Sequence, residues 1–176
     1  MSGVARLLTS LVVFVALCGG ITVSADVTFE GEKAKIKTVV ESSIGWALEK
    51  DWDMLYSAVA HDPEFFIFHP DSASTIVGFD AFKAHVERLF KNDHFKATHF
   101  ETKDLRINLS RSGEVAWYSC YLDDFGEWDG QPFGWENCRW TGVLEKRDGD
   151  WVICQMHFSF GTDQGKDKES SGDDEG

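Results

Sequence analysis

The strongest constraint on the fold is a hairpin in the segment between Trp117 and Phe160. Asp148-Gly149 separates two stretches in which side chains of alternating character succeed one another. Asp and Gly tolerate the positive φ angles of a two-residue turn, so this pair predicts a tight β-hairpin. Successive side chains of a strand point to opposite faces, and large apolar side chains occur on both faces of the last strand. The sequence therefore predicts a sheet that is covered on both sides.

The remaining periodicities give an α+β order, with helices first and a long antiparallel meander afterwards. Apolar residues at i, i+3 and i+4 predict each helix, and short apolar or alternating runs predict each strand. Three helices are expected, packed on an antiparallel sheet. The predicted helices are Val27–Lys50, Trp52–Ala60 and Ala81–Lys91, and the predicted strands are Phe65–His69, Ile76–Val77, Phe95–Leu109, Val115–Leu122, Phe133–Lys146 and Asp150–Phe160.

Both ends of the chain differ from its centre. Arg6, the apolar run Leu7–Cys18 and the small residues before Ala25 are typical of a signal peptide that is cleaved after Ala25. An uncleaved membrane anchor is the alternative. Cleavage predicts a periplasmic or secreted protein without a membrane partner. Residues 161–176 are acidic and lack large apolar side chains, which predicts a disordered tail. The expected division is a signal peptide over 1–25, one folded domain over 26–160 and an acidic tail over 161–176.

Charge and metal-ligand spacing exclude several function classes. A net charge of −13 argues against a nucleic-acid partner, because phosphate binding needs clustered Lys and Arg. The cysteines that remain after cleavage, Cys120, Cys138 and Cys154, match no zinc spacing and are expected to be buried thiols. His99 and Glu101 share a strand face but lack a third ligand. We therefore expect no metal and no cofactor.

Counting residues from two tight turns predicts which residues of neighbouring strands lie opposite each other. If Asp129-Gly130 is also a two-residue turn, Ser119 lies opposite Trp140, and Trp140 lies opposite His157. The face that results mixes aromatic and polar groups, as ligand cavities do. The residues predicted to line the pocket are Trp117, Ser119, Tyr121, Trp140, Gln155 and Ser159 of the sheet and Tyr56 of the second helix.

The other face of the predicted sheet is assigned to a second copy of the chain. Three short helices cannot cover both faces, so they are placed on the pocket side and a homodimer partner on the opposite side. This partner face would carry Thr141, Cys154, Met156 and Phe158, with Arg139 in an ion pair across the interface. A one-residue bulge between Asp123 and Phe133 would exchange the two faces of the preceding strand.

Several segments, taken together, resemble a known family. They are Ile76-Val-Gly-Phe-Asp-Ala-Phe82, Val115-Ala-Trp117 and the ending Thr141-Gly-Val-Leu, Asp148-Gly-Asp-Trp151 and His157-Phe-Ser159. From about Ile36 to Ser159 the chain resembles the SnoaL-like branch of the nuclear transport factor 2-like superfamily. It is also similar to the association domain of calcium/calmodulin-dependent protein kinase II.

That resemblance implies a cone-shaped fold, in which a strongly curved antiparallel sheet wraps around three N-terminal helices. A deep pocket at the wide end and dimerisation through the sheet are also implied. Members include ketosteroid isomerase, scytalone dehydratase and polyketide cyclases, so the fold alone does not define a reaction. The kinase association domain has pocket arginines where this chain has Ser119 and Gly142. The acid and tyrosine pair of isomerase sites has no match here.

Three functional hypotheses follow. The first is an exported domain that binds a small, largely apolar molecule in the pocket of the cone. The second is an enzyme that transfers protons on a hydrophobic carbonyl compound by isomerisation, dehydration or cyclisation, with His157 as acid and base. The third is an association module with a filled cone and a working sheet surface. A neutral, hydrogen-bonded His157 that only stabilises the strand is the structural alternative to catalysis.

Overall fold

The structure, a computed structural model, describes residues 25–70 and 75–161. The predicted signal sequence up to residue 24 and the acidic tail from residue 162 onward lie outside the described residues. The helices are α1 (Ala25–Glu49), α2 (Trp52–Ser57) and α3 (Phe79–Phe90), and the strands are β1 (Phe66–Phe68), β2 (Ile76–Val77), β3 (Phe95–Leu109), β4 (Val115–Trp128), β5 (Gln131–Arg147) and β6 (Asp150–Ser159).

The six strands form one mixed sheet in the order β2-β1-β6-β5-β4-β3. All neighbouring strands are antiparallel except β1 and β6, which run parallel. The α+β prediction is confirmed. A block of three N-terminal helices is not, because β1 and β2 lie between α2 and α3. Across the described ranges, no helix is long and apolar enough to cross a membrane.

Both predicted two-residue turns are present. Trp128 pairs with Gln131 around Asp129-Gly130, and Arg147 pairs with Asp150 around Asp148-Gly149. All four turn residues have positive φ angles, of 51°, 76°, 54° and 96°. These angles belong to the turns that match the twist of adjacent strands, which explains why Asp-Gly occupies both positions.

The predicted register between β4 and β5 is wrong by one residue, because a bulge interrupts the ladder. Leu122 pairs with Cys138, whereas Asp124 pairs with Trp135. Two residues of β5 therefore lie opposite one residue of β4. The bulge is held by local contacts: Asn137 has a φ of 52°, and its backbone N–H donates to Asp123 Oδ1 at 2.7 Å. Ser119 consequently lies opposite Thr141 and not opposite Trp140.

A second bulge, at Cys154, changes the register between β5 and β6. Leu144 pairs with Ile153, but Val143 pairs with Gln155. Trp140 is thus opposite Phe158, and the predicted pairing of Trp140 with His157 is wrong. The inner face of the sheet, toward the helices, carries the buried residues Tyr118, Cys120, Leu122, Trp140, Leu144, Ile153, Met156 and Phe158.

The helices pack on this inner face. Ile36 and Val40 of α1 are completely buried against the sheet. At the first turns of the described part of α1, the Glu32 carboxylate accepts a hydrogen bond from Trp151 Nε1 at 2.7 Å and pairs with Lys146 at 2.8 Å. These contacts tie α1 to the β5–β6 hairpin. The far end of the sheet is left open, and the cavity lies there.

Candidate functional site

A cavity of about 510 Å³ lies between the three helices and the inner face of the sheet. Its wall is largely apolar, as in pockets that enclose small organic molecules. The hypothesis of a pure association module requires a filled cone. The cavity shows that the cone is not filled. Eight Phe and Trp residues supply much of the wall: Trp46, Phe82, Phe90, Phe95, Phe125, Phe133, Trp135 and Phe158.

Among the residues that the structure describes, Asp124 is the one carboxylate that lines this cavity. It lies on β4 one step beyond the bulge, opposite Phe100 on one side and Trp135 on the other. Within residues 25–70 and 75–161, its carboxylate has no hydrogen-bond or ion-pair partner. Burial among aromatic rings raises the pKa of Asp124 to about 6. A carboxylate with this pKa is ionised at neutral pH and is basic enough to accept a proton.

A glycine of β5, Gly134, packs closely against the backbone of Asp124. A Cβ on Gly134 would lie 2.5 Å from the backbone oxygen of Asp124 and 2.5 Å from Cδ1 of Phe125. No side chain fits in that space without moving the backbone of β4. The absence of a side chain at Gly134 therefore allows β4 and β5 to approach each other closely at the level of Asp124.

Two histidines border the same cavity, His69 at the end of β1 and His85 on α3. Their ring centroids are 6.3 Å apart. The His69 ring stacks on Phe158 at 5.5 Å and lies 6.1 Å from Trp135, the residue opposite Asp124. Burial, followed by the charge of Arg88, lowers the pKa of His85. His85 is therefore a neutral imidazole at pH 7, which can both donate and accept a proton.

Arg88 places a positive charge at the rim of the cavity. The neighbouring lysines of this region, Lys83 and Lys91, both pair with Glu87. In the part of the chain that the structure describes, no acid lies within ion-pair distance of Arg88. Its guanidinium is thus available to a polar or anionic group of a bound molecule.

The structure places most of the predicted pocket residues elsewhere. His157 is exposed on the outer face, opposite Thr141, with its ring 5.9 Å from that of Phe68. The bulges put Trp117, Ser119, Tyr121, Gln155 and Ser159 on the outer face as well.

Two predicted pocket residues lie on the inner side without lining the cavity. Trp140 is completely buried and stacks against Phe158 at 5.7 Å. Tyr56 donates a hydrogen bond from its hydroxyl to Glu87 at 3.2 Å. The predicted partner face is also corrected, because Met156 and Phe158 point inward while Thr141 points outward. The inner face instead brings together His69, His85 and Asp124.

Asp124 could have been found by extending one strand. The alternation Ala116, Tyr118, Cys120, Leu122 continues without interruption to position 124 and places it on the buried face. The predicted strand ends at Leu122, so the Asp-rich stretch after it is expected to be a connection. For His85 the signal is helical spacing, since it lies three residues after Phe82 on the buried stripe of α3.

Three helices around an aromatic cavity, closed by a bent and mostly antiparallel sheet, define a pocket protein of the nuclear transport factor 2-like class. The chain belongs to the SnoaL-like domain family, whose sequence profile matches residues 36–163. The resemblance seen in the sequence is thus confirmed. No significant match was found among curated proteins.

Solved structures with the same fold differ in what they do. A candidate scytalone dehydratase from Novosphingobium aromaticivorans is 13% identical, with a TM-score of 0.63, and the match covers 76% of this chain and 86% of that one. The association domain of C. elegans CaMKII is 16% identical, with a TM-score of 0.57 and coverage of 76% and 98%. An NTF2-like protein of unknown function from Prochlorococcus is 17% identical, with a TM-score of 0.58 and coverage of 74% and 93%. At these identities the similarity shows the fold alone.

Proposed function

We propose that the protein binds a small, largely apolar carbonyl compound in its cavity and that Asp124 moves a proton on it. The observation that carries this proposal is a carboxylate without a described partner in an aromatic wall. Leaving a polar group unpaired in such surroundings costs free energy, so its position needs a compensating role. Proton abstraction next to a carbonyl is the reaction that a lone carboxylate of raised pKa can perform.

The other polar residues of the cavity have complementary roles in this proposal. Neutral His85 and neighbouring His69 hydrogen-bond the carbonyl oxygen or return the proton at a second position. Arg88 at the rim orients a polar end of the molecule. Isomerisation and dehydration both need such a base and a proton donor, and the cavity supplies both. His157, the residue first suggested by the sequence, faces away from this chemistry.

Nitrobenzisoxazole tests the base directly, because its ring opens when a base removes one C–H proton and the N–O bond breaks to release a phenolate. We expect the protein to accelerate this ring opening, with a rate that rises as pH passes through about 6, the pKa of Asp124. Asp124→Asn should remove most of the acceleration. Glu101→Gln, which alters an exposed carboxylate on the neighbouring strand, is the matched control and should retain it.

Either of two results would remove this proposal. One is an Asp124→Asn variant that is folded and as active as the wild type. The other is a wild-type rate no higher than that of an equal concentration of acetate. Native mass spectrometry of protein purified from its own host would complement the test, since a co-purified molecule would identify the compound class.

We also propose that the protein is exported, on the strength of the signal-like residues 6–25. Fractionation of the host cells, followed by N-terminal sequencing of the purified protein, checks this. Cleavage after Ala25 is the expected result. An intact amino terminus in the cytoplasmic fraction would contradict it.

Self-association is a second candidate function, and exposed apolar side chains on the outer face favour it. Phe68 of β1 is 48% exposed and Val77 of β2 is 60% exposed, and both lie at the same edge of the sheet. A homodimer that pairs these edges would cover them. Light scattering across a concentration series should then show a dimer that Val77→Lys abolishes. Asn108→Lys on the distant strand β3 is the control and should leave the dimer intact.

A further inference from the structure

A second, smaller groove of about 230 Å³ lies on the outer face of the sheet. The register explains how it forms: Arg106 of β3 lies opposite Ser119 of β4, and Ser119 lies opposite Thr141 of β5. One step along, Tyr121 lies opposite Arg139. Two arginines and three hydroxyl-bearing side chains therefore converge on one site, which the cavity chemistry does not use.

Both arginines of the groove are exposed. Among residues 25–70 and 75–161, neither Arg106 nor Arg139 has an acid within ion-pair distance, although Asp104 also lines the groove. Lys103 nearby is paired with Asp123 at 2.7 Å. In a chain with a net charge of −13, the groove thus holds two guanidinium groups, about 10 Å apart, that have no ion-pair partner among the described residues. Guanidinium groups with neighbouring hydroxyls bind carboxylates well.

The chain supplies carboxylates at this place. Residues 162–176 contain six acidic residues and two lysines, a net charge of −4. This segment follows Gly161, and the Arg139 guanidinium Nη2 lies 3.4 Å from where a Cβ on Gly161 would be. The residue to which the acidic segment is attached, Gly161, thus lies beside Arg139.

The distances also suit an intramolecular contact. Arg106 lies two strands from Arg139, which corresponds to about 10 Å across a sheet. Fifteen residues reach up to about 50 Å when extended. Asp163 is only two residues past Gly161, so it is the first acid that can meet Arg139. Later acids, beginning with Asp167, can reach Arg106.

We propose that the acidic segment 162–176 folds back on its own chain and places carboxylates on Arg106 and Arg139. Each exposed ion pair is weak and screened by salt. Covalent attachment compensates, because a short tether gives an effective concentration on the order of millimolar. The contact shields Ser119, Tyr121 and Thr141 from solvent and from other anions. The exposed residues Phe68 and Val77 lie at the opposite edge of the sheet and stay free for self-association.

Amide chemical shifts of the isotopically labelled protein test this contact. The wild type is compared with a variant in which the six acids of the segment are replaced by their amides. The substitutions are Asp163→Asn, Asp167→Asn, Glu169→Gln, Asp173→Asn, Asp174→Asn and Glu175→Gln. We expect shift differences at Ser119, Tyr121, Arg139 and Thr141 in dilute buffer, and we expect these differences to disappear in half-molar salt.

Substitutions in the groove provide the matched comparison. Arg106→Gln with Arg139→Gln should abolish the differences caused by neutralising the segment. Arg111→Gln removes an exposed arginine at the β3–β4 turn, outside the groove, and should leave them unchanged. The proposal would be overturned if the wild type and the neutralised variant showed no chemical-shift differences at these residues. It would also be overturned if the differences survived both high salt and the groove substitutions. Differences that grow with protein concentration would also overturn it, because they would assign the contact to the segment of a second copy.

Discussion

Asp124 and Trp135 lie opposite each other on β4 and β5, one step past the bulge held by Asn137. This pairing follows directly from the Asp129-Gly130 turn, whereas the extra residue of the bulge shifts the pairs beyond it, so that Leu122 pairs with Cys138. The bulge therefore decides that Cys138 and Trp140 of β5 lie on the same inner face as Asp124 and Trp135. Site and strand register are coupled through this bulge.

Replacing Asp124 by Asn should stabilise the fold at neutral pH. The pKa of Asp124 is raised from 3.8 to about 6, so the folded state retains a proton that the unfolded state has already released in that interval. Stability therefore falls as pH rises through this window and stays lower above it. The charge costs up to about 3 kcal/mol by linkage, and about 1–2 kcal/mol is a realistic gain because the new amide is also unpaired.

Denaturant unfolding at pH 4 and pH 7.5 measures this effect. The free energy of unfolding of Asp124→Asn relative to wild type should increase between the two pH values. Glu101→Gln, the exposed control, should show no such increase. A gain of stability together with a loss of proton transfer would identify Asp124 as a group kept for function. Equal differences at both pH values would contradict the raised pKa.

Substitutions at Asn137 should distinguish backbone strain from side-chain contacts. Its φ of 52° is unfavourable for a β-branched residue and acceptable for glycine. Asn137→Val should therefore destabilise the fold by about 2 kcal/mol, and Asn137→Gly by well under half of that amount. The Gly variant also loses the hydrogen bond from Lys103 Nζ to Asn137 Oδ1. Thermal unfolding of both variants measures the difference, and equal losses would show that this hydrogen bond dominates.

The limits of sequence reading are visible in the same region. Hydrophobic periodicity predicts each helix and strand that the structure describes, because burial of one face imposes the period that the sequence shows. Asp-Gly identified both tight turns, because the backbone angles there exclude most other residues. Strand pairing was derived by counting, and one undetected residue reverses a face. Asn137 and Cys154 give no local sign of a bulge, so the predicted pocket faced outward.

Individual site residues show why the candidate site was harder to predict than the fold. Regular alternation from Trp151 onward predicts that His157 faces the pocket, but the bulge at Cys154 turns it outward. Asp124 becomes distinctive only through its surroundings, which come from β3, β5 and the helices. Desolvation depends on three-dimensional packing that no local pattern encodes.

Glu32 should control the acid stability of the fold. Hydrogen bonds from Lys146, Lys35 and Trp151 lower the pKa of Glu32 from 4.5 to about 2. As the pH falls, the Glu32 carboxylate therefore takes up its proton at a lower pH in the folded state than in the unfolded state. The stabilisation is complete above pH 4.5 and is lost as pH decreases through about 2.

Glu32→Gln tests this contribution. It should cost about 1 kcal/mol at pH 7, because the ion pairs are partly exposed and screened by solvent. Its free energy of unfolding should fall less steeply than that of the wild type between pH 4.5 and pH 2. Glu30→Gln changes a more exposed partner of Lys33 on the same helix and is the control. Parallel acid curves for wild type and Glu32→Gln would contradict the lowered pKa.

Removing the Tyr118 hydroxyl should not weaken the fold. Within the described residues this hydroxyl and Trp140 Nε1 are buried without a hydrogen-bond partner. A buried hydroxyl that makes no hydrogen bond retains its desolvation cost. Tyr118→Phe should therefore raise the free energy of unfolding by up to about 1 kcal/mol. Urea unfolding of Tyr118→Phe measures it, and a loss above about 1 kcal/mol would indicate that an internal water satisfies the hydroxyl.

Filling the cavity should abolish ligand binding without unfolding the protein. Ala47 of α1 lines the cavity, so a Phe at this position would occupy part of its 510 Å³. The neutral fluorescent probe N-phenylnaphthylamine should bind the wild type with enhanced emission, since it is apolar and of suitable size. Ala47→Phe should weaken binding by at least about tenfold, equivalent to about 1.4 kcal/mol.

Ala81→Phe, at an exposed position of α3, adds the same ring and should bind the probe as the wild type does. Circular dichroism of both variants confirms that they are folded, since overpacking alone can distort a core. Equal affinity in Ala47→Phe and wild type would show that the probe binds outside the cavity and would remove the cavity as the ligand site.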